Sequence, residues 1–205
     1  METLKNITKV LLSAIFAGFA ISIGCVAFLQ VGGVIGAILF AFGLLTVVHY
    51  GVKLYTGTAG FVNGVFTLDS VDLLIVLLGN VIGCALMAYG IYNSDYDFTD
   101  KITKIAEMRS SLPMVGVFVR AVLCGVIMTA AVKFWRTDRY ISLIVFGVPV
   151  FICSGFLHSI ADAFYYSYYF IENNSICTGC LKVWGMTVFG NYVGCNVWRI
   201  LSIIK

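Results

Sequence analysis

From Val10 to Val31 the chain reads VLLSAIFAGFAISIGCVAFLQV, a run without a single charge. A helix rises ~1.5 Å per residue, so about 20 such residues cross the ~30 Å hydrocarbon core of a bilayer. Further runs with few or no charges cover roughly Gly33 to Tyr55, Leu73 to Tyr92, Val115 to Val132, Ile141 to Ala161 with an extension to Phe170, and Leu181 to Ile204. Composition agrees: 60% of the 205 residues are hydrophobic and 11% charged, more apolar surface than a soluble fold can hide. Lys5 and Lys9 ahead of the first run also suit a signal peptide, but the run is longer than a typical apolar signal core and no A-x-A pattern follows, so it reads as a true span. An all-α multi-pass protein of the cell membrane with six crossings is expected, as one transmembrane domain over residues 1–205.

Six crossings put both termini on one side. Sorted by that topology, Lys5, Lys9, Lys133, Arg136, Arg139, Arg199 and Lys205 fall on the terminal side, and Lys101, Lys104, Arg109 and Lys182 on the other. The excess of positive residues predicts cytoplasmic N- and C-termini. A net charge of +3 spread over span ends gives no basic patch for nucleic acid. Of seven cysteines, Cys25, Cys84, Cys124, Cys153 and Cys195 lie within spans as small apolar fillers. "CTGC" (Cys177 to Cys180) is one C-x-x-C without a second pair, too few ligands for zinc, and reads as an ordinary loop.

The chain also repeats itself. "LLGNVIGC" (77 to 84) and "VFGNYVGC" (188 to 195) carry Gly, Asn, Gly and Cys at the same offsets, and "AGFAIS" (17 to 22) matches "CGVIMT" (124 to 129) in pattern. Each of the earlier pair precedes its Asn motif by two further crossings. Two units of three spans, about 8–92 and 112–205, are therefore expected, and an odd number of spans per unit turns the second upside down. Such inverted repeats place their site near the midplane where helices are broken. Candidate breaks stand in "KLYTGTAGF" (53 to 61), followed by the short Phe61 to Leu68, and in "SGFLHSIAD" (154 to 162), which divides a run too long for one untilted crossing. His158 lies about eight residues before the centre of the aromatic cluster "AFYYSYYF", hence ~12 Å deep as helix, near midplane.

The strings "LYTGT", "GFLHSIAD" and "FGNYVGC" resemble the loop and last-helix motifs of the formate/nitrite transporter family, whose patterns are roughly L-[FY]-T-[GS], G-F-x-H-S-[IV]-A-N and G-N-[ILV]-[IVL]-G-G. The resemblance runs in order from about Val10 to the C-terminus. It implies an aquaporin-like protomer of six helices, the second and fifth broken, in a homopentamer, each protomer passing a small monovalent anion or its conjugate acid, with a proton as partner and no cofactor or metal. By position, Thr56 and His158 would be the transport-central pair, with Phe40, Leu44, Leu54 and Phe151 as apolar constrictions. Asn191 would be a polar residue of the outer vestibule, packed, like Asn80, between glycines that let helices approach. Ser159, Thr129, Lys53 and Asp162 complete the pore-associated polar set.

Several positions depart from the family. Lys53 stands where an acidic residue is usual, Leu157 where Glu is, Asp162 for the Asn after the histidine, and Thr129 for an Asn of the fourth helix. A basic residue ahead of the fourth helix would fall near Pro113, which leaves open whether Arg109 takes over anion attraction. An isolated intramembrane charge costs several kcal/mol, so Lys53 and Asp162 are expected to pair. His49 reads as a packed or interfacial histidine. "FTDKITKIAEMRSSL" (98 to 112) reads as a short interfacial helix outside the pore. An enzyme is not expected: two histidines cannot build a multi-histidine iron site, and no Walker A string or G-x-S-x-G elbow is present. No N-P-A string supports a water channel. The remaining rival is a structural or receptor-like membrane protein, which needs no broken helices. On the transport reading, His158, oriented by Thr56, shares or supplies a proton so that a neutral acid crosses the apolar rings.

Overall fold

The computed structural model describes residues 2–61 and 68–204. Among these there is no strand; the elements are α1 (Glu2–Val31), α2 (Gly33–Tyr50), α3 (Tyr55–Thr58) running into a 3₁₀ turn (Ala59–Phe61), α4 (Leu68–Tyr92), α5 (Thr99–Ser110), α6 (Met114–Asp138), α7 (Ser142–Cys153), α8 (Ser159–Glu172) and α9 (Thr178–Ile204). Helices α1, α2, α4 and α6 are long and apolar enough to cross a membrane. The run from Ile141 to Phe170 is divided between α7 and α8, and α9, with 27 residues, is long enough but diluted by Thr187, Asn191 and Asn196. Most of Phe61 to Leu68, the short stretch expected to complete the first break, lies outside the described residues.

The helices leave their axes in one way at two places. α2 ends on Gly51 at φ +66° and the chain runs extended through Leu54 (φ −101°, ψ 134°) into α3. α7 ends at Cys153, Gly155 takes φ +66°, and the chain runs extended through His158 (φ −113°, ψ 112°) into α8. A left-handed residue here favours glycine, which has no Cβ to clash. In both places the N–H after the glycine reaches back to close the helix: Val52 to the Val47 carbonyl at 3.1 Å, Phe156 to the Phe151 carbonyl at 2.9 Å.

The most extensive helix contacts are α6 with α9 and α1 with α4. Both depend on close approach. A Cβ on Gly83 would run into the Ile15 carbonyl, and one on Gly194 into the Val122 carbonyl. With no water to serve a stray backbone group in a bilayer, the loops at the two interruptions need internal partners, and the two repeated asparagines supply them. Asn80 Oδ1 accepts from Tyr55 N–H at 2.8 Å, while its Nδ2 donates to the Ala14 carbonyl at 2.7 Å and the Lys53 carbonyl at 2.9 Å. Asn191 Oδ1 accepts from Ser159 N–H at 2.8 Å, and its Nδ2 donates to the Ala121 carbonyl at 2.8 Å and the Leu157 carbonyl at 2.9 Å. Cysteine thiols then cross between halves: Cys84 Sγ donates to the Ile160 carbonyl and Cys195 Sγ to the Thr56 carbonyl, each at 3.3 Å.

The stretch from Phe98 to Leu112 is helical as expected, forming α5, but it does more than skirt the surface. It buries Ile102 and Ala106 and packs against α8 and α9. His49 is exposed in the last turn of α2, edge-on to Tyr50 at 5.1 Å, which suits the interfacial reading.

Candidate functional site

The two clamped loops meet through their side chains. Thr56 Oγ1 lies 3.0 Å from His158 Nε2, and both residues are buried. His158 is also the N-cap of α8: Ala161 N–H donates to its Nδ1 at 3.2 Å. A nitrogen that accepts a backbone N–H carries no proton of its own, so the neutral ring keeps its hydrogen on Nε2 and donates it to Thr56 Oγ1. The threonine, its lone pair engaged, has its own O–H left to offer.

Two cavities lie beside the loops that carry this bond; His158 lines one, while Thr56 itself lines neither. One, of about 170 Å³, is walled by His158 and Ala161 together with Phe28, Phe40, Phe151 and Arg109. Within it Phe151 stacks on the imidazole at 5.6 Å and meets Phe40 edge-on at 5.9 Å. The other, of about 200 Å³, is walled by Leu54 and Gly57 together with Val47, Val132, Arg136 and Arg139. Leu44 is buried and lines neither. The expected constriction residues thus divide, Phe40 and Phe151 on the histidine side and Leu54 on the other.

Arg109 makes an ion pair with Asp162 through Nη1, and its guanidinium carbon sits 5.2 Å from the Tyr165 ring centre. This corrects the expected Lys53–Asp162 pair. Asn80 and Ser13 hold the Lys53 backbone, leaving the residue partly exposed, whereas α5 packs onto α8 and brings Arg109 to the first turn where Asp162 is buried. The Asp at a family Asn position therefore has its counter-charge on α5. The helix expected to be interfacial and outside the pore also reaches the site, since Arg109 lines the His158 cavity.

Asn191, expected in the outer vestibule, is fully buried and lines neither cavity, with every amide atom spent on backbone. Ser159 contributes its backbone, N–H to Asn191 and carbonyl to Trp184 Nε1–H at 2.9 Å. Thr129 is buried on α6 against Gly60 and lines neither cavity. Two further cations reach the loops. Arg136 Nη2 donates to the Gly57 carbonyl at 3.3 Å with its guanidinium 4.1 Å from the Phe61 ring centre, and Arg120 Nη1 donates to the Gly155 carbonyl at 3.1 Å. Each holds one loop by a carbonyl. Arg120 is the one charge inside the apolar run Val115 to Val132, which marks it in the sequence; Arg136 lies just past that run, where basic residues are ordinary.

Apolar helices around a buried polar pair, with a cavity beside each of the loops that carry it, define a membrane transport protein. The chain belongs to the formate/nitrite transporter family, whose model matches residues 2–203. Its fold is that of a solved structure described as a pentameric formate channel with formate bound, TM-score 0.83 at 20% identity over 98% of this chain and 99% of that one. It is equally that of an FNT family ion channel, TM-score 0.86 at 19% identity over 98% of this chain and 91% of that one. No curated protein matches the sequence.

Proposed function

We propose that the chain is a channel for small monovalent anions or their conjugate acids, of the formate, nitrite or hydrosulfide class, and not an enzyme. The observation that carries this reading is the buried Thr56–His158 bond, with a cavity beside each of the loops that carry it and an arginine in the wall of each cavity. The matched asparagine clamps support two inverted three-helix units, repeat one about 8–92 and repeat two about 112–205, with the interruptions at Gly51 and Gly155 breaking the second and fifth of six spans. Lysine and arginine placement supports cytoplasmic termini. The pentameric assembly named for a structure of the same fold supports a homopentamer, lipid covering the remaining apolar faces.

An anion entering from either cavity leaves water for phenylalanine and leucine walls, where a bare charge is heavily penalised. The Nε2–H···Oγ1 bond turns the Thr56 hydroxyl into a donor that offsets part of that cost, and partial proton sharing lowers it further. Outright donation by His158 is disfavoured, because Nδ1 is occupied by Ala161 N–H and the ring has no second proton to restore. The permeating species brings its proton from water.

Stopped-flow uptake into liposomes tests this with formate, nitrite, hydrosulfide, lactate and acetate. Saturable or pH-dependent entry of at least one supports the channel; tightness to all of them supports the structural-protein reading. His158→Ala and His158→Asn both carrying wild-type flux with a wild-type pH profile would remove the histidine from the mechanism.

A further inference from the structure

The C-x-x-C that reads as an ordinary loop in the sequence is built differently in the structure. Cys177 lies between α8 and α9 as the N-cap of α9: its carbonyl accepts from Leu181 N–H at 3.1 Å and its sulfur accepts from Cys180 N–H at 3.1 Å. A thiolate at a helix N-terminus is favoured by the exposed N–H groups and the helix dipole. Cys180, one turn in, is buried with Ala106, Val117 and Val183, and its sulfur lies 3.4 Å from Ser110 Oγ. The first thiol is partly exposed and the second buried. Residues three apart on a helix stand about 5 Å between Cα atoms, inside the span a disulfide bridges. Both thiols are free. A partly exposed thiol at a helix N-terminus within disulfide reach of a buried one is the arrangement that thiol–disulfide exchange requires.

Resting on the transport reading above, we propose that Cys177 and Cys180 form a reversible redox dithiol whose oxidation to a disulfide lowers anion flux through α5. The Cys177 thiolate attacks a low-molecular-weight disulfide such as oxidised glutathione, forming a mixed disulfide and expelling one thiolate. The Cys180 thiolate then attacks the Cys177 sulfur, closing the internal disulfide and expelling the second. Two electrons pass from the protein to the small disulfide, and the two protons shed by the cysteines end on the two released thiols. Burial pushes the Cys177 thiol up, but hydrogen bonds from the Cys180 thiol, the Cys180 and Gly179 backbone and Ser110 outweigh it and hold its pKa below the ordinary value. That matches the attacking role.

The link to the path is short. Once bonded to Cys177, the Cys180 sulfur can no longer donate to Ser110 and keeps only a weak acceptor's role, and closing the disulfide draws it toward Cys177 from its place 3.4 Å from Ser110 Oγ in the last turn of α5. Arg109, the preceding residue, lines the His158 cavity and pairs with Asp162. Loosening that turn unsettles the cation at the cavity wall.

Full-length protein in liposomes is equilibrated over a series of reduced-to-oxidised glutathione ratios, quenched with N-ethylmaleimide and peptide-mapped, with flux measured in parallel. The wild type is expected to lose both loop thiols together, with flux falling roughly fivefold, the low end of ordinary coupling between sites, and returning on reduction. Cys180→Ser should trap glutathione on Cys177, and Cys177→Ser should take none on Cys180 and keep its flux in oxidised glutathione. Thiols that stay alkylatable throughout, or a disulfide that forms without changing flux, overturn the proposal. Reduced wild type that carries no anion overturns the transport reading instead, and peptide mapping still decides whether the dithiol exists.

Discussion

In the first half the clamped loop presents Leu54, Thr56 and Thr58; in the second the corresponding positions, counted from the two asparagine bonds, are His158, Ile160 and Asp162. The clamps are alike to within about a tenth of an ångström, bond for bond, while the side chains they display share almost nothing. Thr58 satisfies its own hydroxyl on the Leu54 carbonyl at 2.8 Å; Asp162 at the matching place needs a cation from α5. The two loops thus share what holds backbone inside a bilayer and differ in the side chains they display. The histidine of one half faces the threonine of the other because the two occupy non-equivalent positions, so one polar pair forms in place of two copies of one group.

The largest effects should come from the part the halves share. Asn80→Leu or Asn191→Leu strips partners from one buried N–H and two buried carbonyls, each worth ~1–3 kcal/mol when left unsatisfied, so about 4 kcal/mol of stability should be lost at either site. Thermal unfolding in detergent, followed by tryptophan fluorescence, reads this. A variant in one half that unfolds near wild type while its counterpart collapses would break the equivalence.

Next comes the position where the halves differ in charge. Removing one partner of a buried ion pair leaves the other uncompensated and costs about 3–5 kcal/mol. Asp162→Asn and Arg109→Gln are each expected to destabilise in that range, and the double variant by less than their sum, with a coupling of about 2 kcal/mol in a double-mutant cycle. Additive losses would mean that the contact contributes little. Lys53→Gln, by contrast, should fall within about 0.5 kcal/mol of wild type, as expected of a partly exposed charge without such a partner.

The architecture was legible to different depths. Hydropathy exposed the runs, and the two G-N-x-x-G-C strings pointed to the two matching asparagine clamps, because helix-on-helix contact at Gly83 and Gly194 demands glycine at fixed spacing. Thr56 and His158 were legible as motif residues. The role of Asn191 was not: a polar residue near a pore motif reads as vestibule, and only the three-bond geometry reveals that its amide is fully spent on backbone. Asp162 was misassigned to Lys53 because the charge that answers it arrives from α5, more than fifty residues away, on a helix whose sequence looks like an amphipathic surface segment. Long-range pairing of this kind leaves no periodicity to read.

Function separates the halves next. Thr56→Val keeps the shape and removes the hydroxyl that His158 polarises, so flux should fall about tenfold, the rate equivalent of one hydrogen bond of ~1.4 kcal/mol. Ile160→Val, at the corresponding position, removes one methyl from a buried side chain. It should cost about 1 kcal/mol of stability and leave flux within about twofold, since the Ile160 side chain has no polar group to bond His158 or a passing anion, as the Thr56 hydroxyl does. Equal flux losses in the two variants would mean that packing around the loops, not the hydroxyl, sets the rate.

The smallest contrast compares Gly51 with Gly155, which share φ +66° but not their surroundings. A Cβ on Gly51 meets nothing within 4 Å, so Gly51→Ala should cost only the left-handed penalty of about 1 kcal/mol. A Cβ on Gly155 would stand 2.9 Å from Arg120 Nη1, the group that donates to the Gly155 carbonyl. Gly155→Ala must therefore also displace or weaken that charge-assisted bond, and its loss should be about 1 kcal/mol larger. Combining it with Arg120→Gln sharpens the point. If the guanidinium is the source of the difference, the alanine substitution becomes no more costly at 155 than at 51 once the arginine is gone; if the excess persists, the strain lies in the backbone of the second loop itself.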